Sequence, residues 1–483
     1  MKILRKISII LSLIIIHTLS FYSCSNEKEA KVTLNILPEI FPDYTNITIP
    51  PNIAPLNFMI ENTDEVLVEF HLEGTNAFSI KGNKGLIKIP NKQWRGLLNK
   101  AIGKTIQVHV SIWNSTYPEG AHFLPFAIQV VTPSIDEWIA YRLIEPGYQS
   151  WKQLGIYQRN ITSFEEKAII TNQSSTQTCL NCHSFHNYSP QKMMFHARGQ
   201  NGGTYILNNG EISKVNIEKI GLKKGASYPI WHPNGKLIAF SSNTTQQAFF
   251  EHGEQPLEVY DERSDLIFYD IENNETFSDP RFLTSKSMET FPAWSPDGNY
   301  LYFASAESKS MPQGYKDMYY HLLKVSFDPQ TRVFGSEIDT VYHAKINNGS
   351  ASYPRISPNG KYLLYTRASC GTFPIWHKDA DLQMLDLSNY SCIDISIWNS
   401  EEADSYHSWS SNGHWIVFGS RRDDGRYTRL YLAYWDNGKA YKPFLLPQEN
   451  PMHNIWRAKS YNIPEFMNES IELSTTNFSS LKK

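Results

Sequence analysis

The chain has 483 residues, 45 Lys and Arg against 48 Asp and Glu, and a formal net charge of −3. That length can build two or three domains with sizeable cores, and the slightly acidic balance argues against nucleic acid as a partner. Aromatic residues at 13% and charged residues at 19% suit a β-rich protein, and five cysteines are too few for a disulfide scaffold.

At the N-terminus, Lys2, Arg5 and Lys6 precede an apolar run from Ile7 to Leu19, followed by Phe21-Tyr22-Ser23-Cys24. This is the layout of an export signal over 1–23, too short to span a bilayer. It resembles bacterial lipoprotein signals, which implies cleavage and acylation at Cys24. Phe21 stands where those signals carry Leu. The Glu27 and Glu29 that follow resemble the surface-export signal of Bacteroidota lipoproteins. The expectation is an outer-membrane lipoprotein, periplasmic or surface-exposed, that touches the membrane through its lipid only.

Residues 24–132 alternate apolar and polar positions in short runs, as in Val66 to Leu72, Leu86 to Ile89 and Ile106 to Ile112. Asn, Pro and Gly lie between them. The pattern predicts an immunoglobulin-like β-sandwich with no chemical motif. Ser134 to Leu143 reads as a short helix capped by Ser134, with Asp136 and Glu137 in its first turn. It opens a helical or extended connector over 133–184, whose polar run Asn172 to Thr178 leads into Cys179-Leu180-Asn181-Cys182-His183.

That pentapeptide is the C-x-x-C-H pattern of covalent c-type haem attachment. Two thiols three positions apart reach the two vinyl groups of one porphyrin edge, and the adjacent His183 ligates the iron. His196, Met193, Met194 and His186 are candidate sixth ligands, and Arg198, Arg159 and Arg142 are candidates to face the propionates. Zinc ligation and a plain Cys179–Cys182 disulfide are the competing readings. Adjacent Cys182 and His183 are awkward for tetrahedral zinc. Cys370 and Cys392 are left over, and in an oxidising compartment they are a candidate disulfide.

Four later segments share one pattern of aromatic, strand, turn, strand. They run from Tyr228 to Phe240, Phe291 to Phe303, Tyr353 to Tyr365 and Tyr406 to Phe418. Three carry Pro-Asn-Gly or Pro-Asp-Gly at the turn and the fourth Ser-Asn-Gly, tripeptides suited to a left-handed backbone. Gly235, Gly298, Gly360 and Gly413 are 63, 62 and 53 residues apart, whereas a propeller blade needs roughly 40–50. Insertions are expected at Gln246 to Arg263, Glu307 to Lys316 and Ser369 to Asp379. All three fall between the second and third strands, so they should crowd one rim, where propellers usually bind.

These repeats resemble the TolB-type, WD40-like β-propeller repeat. The resemblance implies an all-β propeller of five or six blades over about 185–470, with a tail at 471–483. A weaker copy starts at Tyr188, and Asn454 to Ala458 begins either a last blade or a ring-closing strand. The whole resembles propeller lipoproteins of Bacteroidota that carry one C-x-x-C-H ahead of the first blade. Two functions follow as expectations. One is a tethered c-type haem protein in electron transfer or redox sensing, docking a redox partner or envelope protein at its rim. The other is a haem-free propeller that binds glycan or protein. Trp231, Trp294, Trp376 and Trp409 are candidate sugar platforms, and His232, His377, Asp379 and His407 are rim groups that nothing in the sequence orders. The chain has no Gly-x-Ser-x-Gly elbow and no H-E-x-x-H, so no enzyme class is indicated.

Overall fold

In the computed structural model, residues 29–145, 154–172, 179–198, 202–215, 226–253, 255 and 257–472 are described. The signal, Cys24 and most of the C-terminal tail lie outside them. Among the described residues, no helix is long and apolar enough to cross a membrane.

Residues 29–131 are strands apart from one helix, Asn91–Ala101. Nine strands hydrogen-bond into one network around the long pair Glu65–Leu72 and Thr105–Trp113. The alternation seen in sequence is real: Val66, Val68 and Phe70 are buried, as are Ile106, Val108 and Val110. The helix closes the core with Trp94, Leu97, Leu98 and Ala101, and the Trp94 indole donates to the Ile53 carbonyl at 3.1 Å.

The rest of the chain forms six sheets of four strands, the last with a fifth short strand. Their innermost strands contact one another in a closed ring. This is a six-bladed β-propeller. Blades two to six start at Cys179–His186, Ala226–Trp231, Ser287–Trp294, Ser350–Ile356 and Asp404–Trp409. Blade one takes its inner strand from the end of the chain. Ser460–Met467 pairs with Trp138–Ile144, which continues into Gly155–Asn160 and Glu166–Thr171.

This corrects the reading of 133–184 as a connector and of 134–143 as a helix. Trp138 to Leu143 alternates too, and both faces are covered, one by the blade core and one by the domain core. The polar residues read as a helix cap dock the blade-six turn instead. Asp136 accepts from the Ser411 N–H at 2.7 Å, and the Ser134 carbonyl accepts from Asn412 at 2.6 Å. The weak copy at Tyr188 supplies the outer strands of blade two. Its missing turn Gly is replaced by Asn187 and Tyr188, both at positive φ.

One core runs through both parts. Trp415, Val417, Leu432 and Phe444 of blade six share a cluster with Val68, Phe70 and Trp94. Polar ties reinforce it: Lys442 Nζ to Asp43 at 2.7 Å, and the Trp415 indole to the Pro133 carbonyl at 3.2 Å.

Every inner strand carries one bulged residue with left-handed φ. These are Ile463, Cys182, Tyr228, Phe291, Tyr353 and Tyr406, at φ between 33° and 52°. A bulge re-aims its side chain, and here the aromatics meet in the ring. Tyr228 and Phe291 rings are 4.2 Å apart, Phe291 and Tyr353 4.3 Å, and Tyr353 and Tyr406 4.7 Å. The aromatic that opens each sequence repeat is therefore an axial plug.

Candidate functional site

The C-x-x-C-H segment is not a lead-in to the propeller. It is the inner strand of blade two, and Cys182 occupies the plug position that Tyr or Phe holds in blades three to six. Cys182 is buried, the Tyr228 backbone N–H reaches it, and burial pushes its thiol up. Register decides what the motif can do as folded. Cys179 pairs with Arg198 and His183 with Phe195, with the bulge between Asn181 and His183. Arg198 and Phe195 are three residues apart on one strand and so face opposite sides of the sheet. Cys179 nonetheless packs at the edge of the cluster that holds Phe185 and Phe195, His183 stands beside Phe185, and Cys182 is bulged between them. Cys182 and His183 are 3% and 2% exposed within that paired strand, so the segment as folded presents neither the second thiol nor the imidazole to a porphyrin, and the residues as arranged do not fit a haem.

The candidate sixth ligands are split as well. Met193 packs between blades one and two, and Met194 between blades two and three. His196 is opposite Asn181, its Nδ1 3.2 Å from the Thr204 hydroxyl, and burial lowers it to about 4. His186 contacts the Pro233 carbonyl at 3.0 Å. Among the arginines, Arg142 bears on His183 and both Arg142 and Arg198 bear on Cys182. Arg159 is committed elsewhere, donating to the Pro447 carbonyl at 2.7 Å. Among the described residues, no group of three or more His, Cys, Asp or Glu is placed to hold a metal ion. His183 has one feature that stands apart: both ring nitrogens are buried with no hydrogen-bond partner, and burial lowers it to about 3.

Cys370 and Cys392, the candidate disulfide, are both free thiols. Cys370 follows the second strand of blade five, whereas Cys392 is exposed on its outermost strand.

The three insertions do gather on one face. The first is a β-hairpin: Leu237–Phe249 and Leu257–Asp270 stay paired well past the disc, with Phe249 exposed at the tip. Together they wall a cleft of about 820 Å³. Tyr315, Tyr319 and Trp376 line it as half-buried rings among Glu258, Lys316, Lys378 and Asp381. On its floor, His377 Nε2 meets Glu258 Oε2 at 2.9 Å, with side-chain exposures of 4% and 2%. Asp379 Oδ1 is 4.0 Å from the other ring nitrogen. Burial pulls the imidazolium down, but the Glu258 hydrogen bond and charge outweigh it and leave His377 raised. Burial and Asp404 lift Asp381 to about 6. The Cys370 thiol at the edge is pushed up by burial and Glu258, the wrong direction for a nucleophile. Arg421 stacks on Trp376 at 3.6 Å, fixing the ring.

His377 and Asp379 are thus brought together, while His232 and His407 are structural. Their Nε2 atoms contact the carbonyls of Gly298 at 2.9 Å and Leu364 at 3.0 Å. Trp231, Trp294 and Trp409 are nearly buried at the other end of the axis, and only Trp376 lines the cleft. Glu258 had no sequence signal, since it sits inside an insertion.

No family model matches the chain, and no curated protein matches it. Solved structures give distant likenesses. One, from a study of two prolyl endopeptidases, is 13% identical, covers 56% of this chain and 36% of that one, and has a TM-score of 0.36. An oligogalacturonate lyase in complex with manganese is 10% identical, with 64% and 74% covered and a TM-score of 0.37. The β-propeller domain of the Trilobed protease from Pyrococcus furiosus is 12% identical, with 64% and 81% covered and a TM-score of 0.34. The propeller assignment stands on this chain's own six sheets, and none of those proteins' activities transfers with the likeness.

Proposed function

We propose that this chain is a lipid-tethered recognition propeller that binds a polar ligand of saccharide type in the insertion-face cleft. The observation that carries this reading is the convergence of three independent insertions on one cleft of about 820 Å³. Half-buried aromatic rings give a sugar its stacking faces. The surrounding carboxylates, lysines and the His377–Glu258 pair give its hydroxyls donors and acceptors. The tether is Cys24, and its test is a mass shift from acylation that Cys24→Ala abolishes.

Binding is tested by screening oligosaccharides against purified protein and titrating the hits by calorimetry. Trp376→Ala is expected to weaken a hit at least tenfold, on the order of the 1–3 kcal/mol that a stacked ring contributes, with the melting temperature kept. Hits that Trp376→Ala and His377→Ala leave unchanged place the ligand elsewhere and overturn the reading.

The second reading is a covalent c-type haem acting in electron transfer or redox sensing. Its specific support is His183, with two buried nitrogens lacking partners. It requires Cys179 to His183 to leave the blade-two sheet. Protein made with a c-type maturation system decides between them. A colourless sample with unmodified Cys179 and Cys182 is expected, and a pyridine haemochrome spectrum lost in Cys179→Ala plus Cys182→Ala reverses the order of the two readings.

A further inference from the structure

At the end of the axis away from the insertions, the first-to-second-strand turns surround a cavity of about 290 Å³. At about 30 Å³ per water, that is room for on the order of ten non-hydrogen atoms. The repeat explains its walls. Two residues after the left-handed plug position, the six blades carry Glu465, Ser184, Ile230, Ala293, Arg355 and Ser408. Four are uncharged. The two charged ones are of opposite sign, and both line the cavity. One position further on stand the indoles of Trp231, Trp294 and Trp409, which line it too.

The two charges attract each other without a direct ion pair. Arg355 Nη1 donates to the Pro354 carbonyl at 3.0 Å, and Glu465 accepts from the Phe185 N–H at 3.2 Å. The Trp231 and Trp409 indoles turn their N–H groups to the neighbouring blades' carbonyls, Ser184 at 3.1 Å and Arg355 at 3.2 Å, and the Trp294 Nε1 is buried as well, so the three rings offer the cavity apolar edges.

We propose that this cavity binds a small zwitterion with the chemistry of a free apolar amino acid. Its carboxylate sits on Arg355, its ammonium on Glu465, and its side chain against the indoles. Guanidinium matches a carboxylate geometrically, and charge-assisted bonds in a water-poor site are the strong ones. Burial holds Glu465 at about 8 against the pull of Arg355. An incoming ammonium supplies the charge that ionises it. This site is separate from the cleft and does not depend on the cleft's ligand.

The test is calorimetry on the purified protein with L-leucine, N-acetyl-L-leucine and L-leucine amide. L-leucine is expected to bind, and losing either ligand charge is expected to weaken it at least tenfold. Arg355→Met should erase the preference for the free carboxylate and Glu465→Gln that for the ammonium, while Trp376→Ala changes neither. Equal binding of all three compounds overturns the proposal. So does no binding by any of them up to about 10 mM, where a specific site would be saturated. The ligand panel on the unaltered protein decides the matter even where a variant fails to fold.

Discussion

His183 is buried and Glu465 half-buried, and each is held in its neutral form at pH 7. Their contributions to stability run in opposite directions with pH. His183 and His407 are lowered to about 3 and His196 to about 4, against 6.5 when unfolded. Between those values the unfolded chain binds more protons, so stability falls as pH drops from about 6.5 towards 3–4. His183→Phe is expected to flatten the fall in melting temperature between pH 6.5 and 4. At neutral pH it should leave stability equal or higher, because two unpartnered buried atoms are removed; a steep loss at pH 7 overturns the idea that His183 lacks a partner. Glu465 is raised to about 8, so the folded state keeps a proton that the unfolded one releases above the ordinary carboxyl range. That costs stability progressively as pH rises to 8. The melting temperature of Glu465→Gln minus that of the unaltered protein should therefore grow more positive from pH 5 to pH 9, measured by calorimetric scans.

At the level of elements, the repeats were legible because turn chemistry and strand alternation are local. The glycines at those turns all have φ near 70°, but they are not equivalent. A Cβ on Gly298 would lie 2.5 Å from the His232 ring, whereas one on Gly413 would meet Pro358 at 3.4 Å. Gly413→Ala should cost about 1–2 kcal/mol from backbone strain alone. Gly298→Ala should cost more, since His232 must also give up the Gly298 carbonyl. Denaturant midpoints of the two variants check the order. Blade two was only half legible because Cys182 replaces the aromatic and Asn187-Tyr188 replaces the turn. Blade one was illegible because its inner strand is supplied by residues more than 300 positions away, and local periodicity carries no long-range pairing. The insertion rim was placed correctly from spacing. Its chemistry was not, since Glu258 meets His377 only across 119 residues, about two repeats of chain. Arg355 did carry a signal: a charge at a position that the other three legible repeats fill with Ile230, Ala293 and Ser408.

For the whole molecule, ring closure is the dominant constraint. Ser460–Met467 pairs with Trp138–Ile144 and also touches the inner strands of blades two and six. A chain ending at residue 459 is expected to lose the single cooperative thermal transition, leaving blade one with an open edge and the axis exposed. Calorimetry of that truncation showing one unchanged transition would mean that closure contributes little. The shared core with the N-terminal domain adds to this coupling. Substituting Trp94 by Ala should destabilise the propeller as well as its own domain, seen as one lowered melting temperature, not two separate ones.

Closure by the last strand also orders events in time. A polypeptide made from its amino end delivers residues 460–467 after every other strand of the disc. Until they arrive the toroid cannot lock, and the plug residues, Cys182 among them, stay reachable by solvent. Any modification of that thiol therefore has a window that shuts when Ser460–Met467 pairs with Trp138–Ile144.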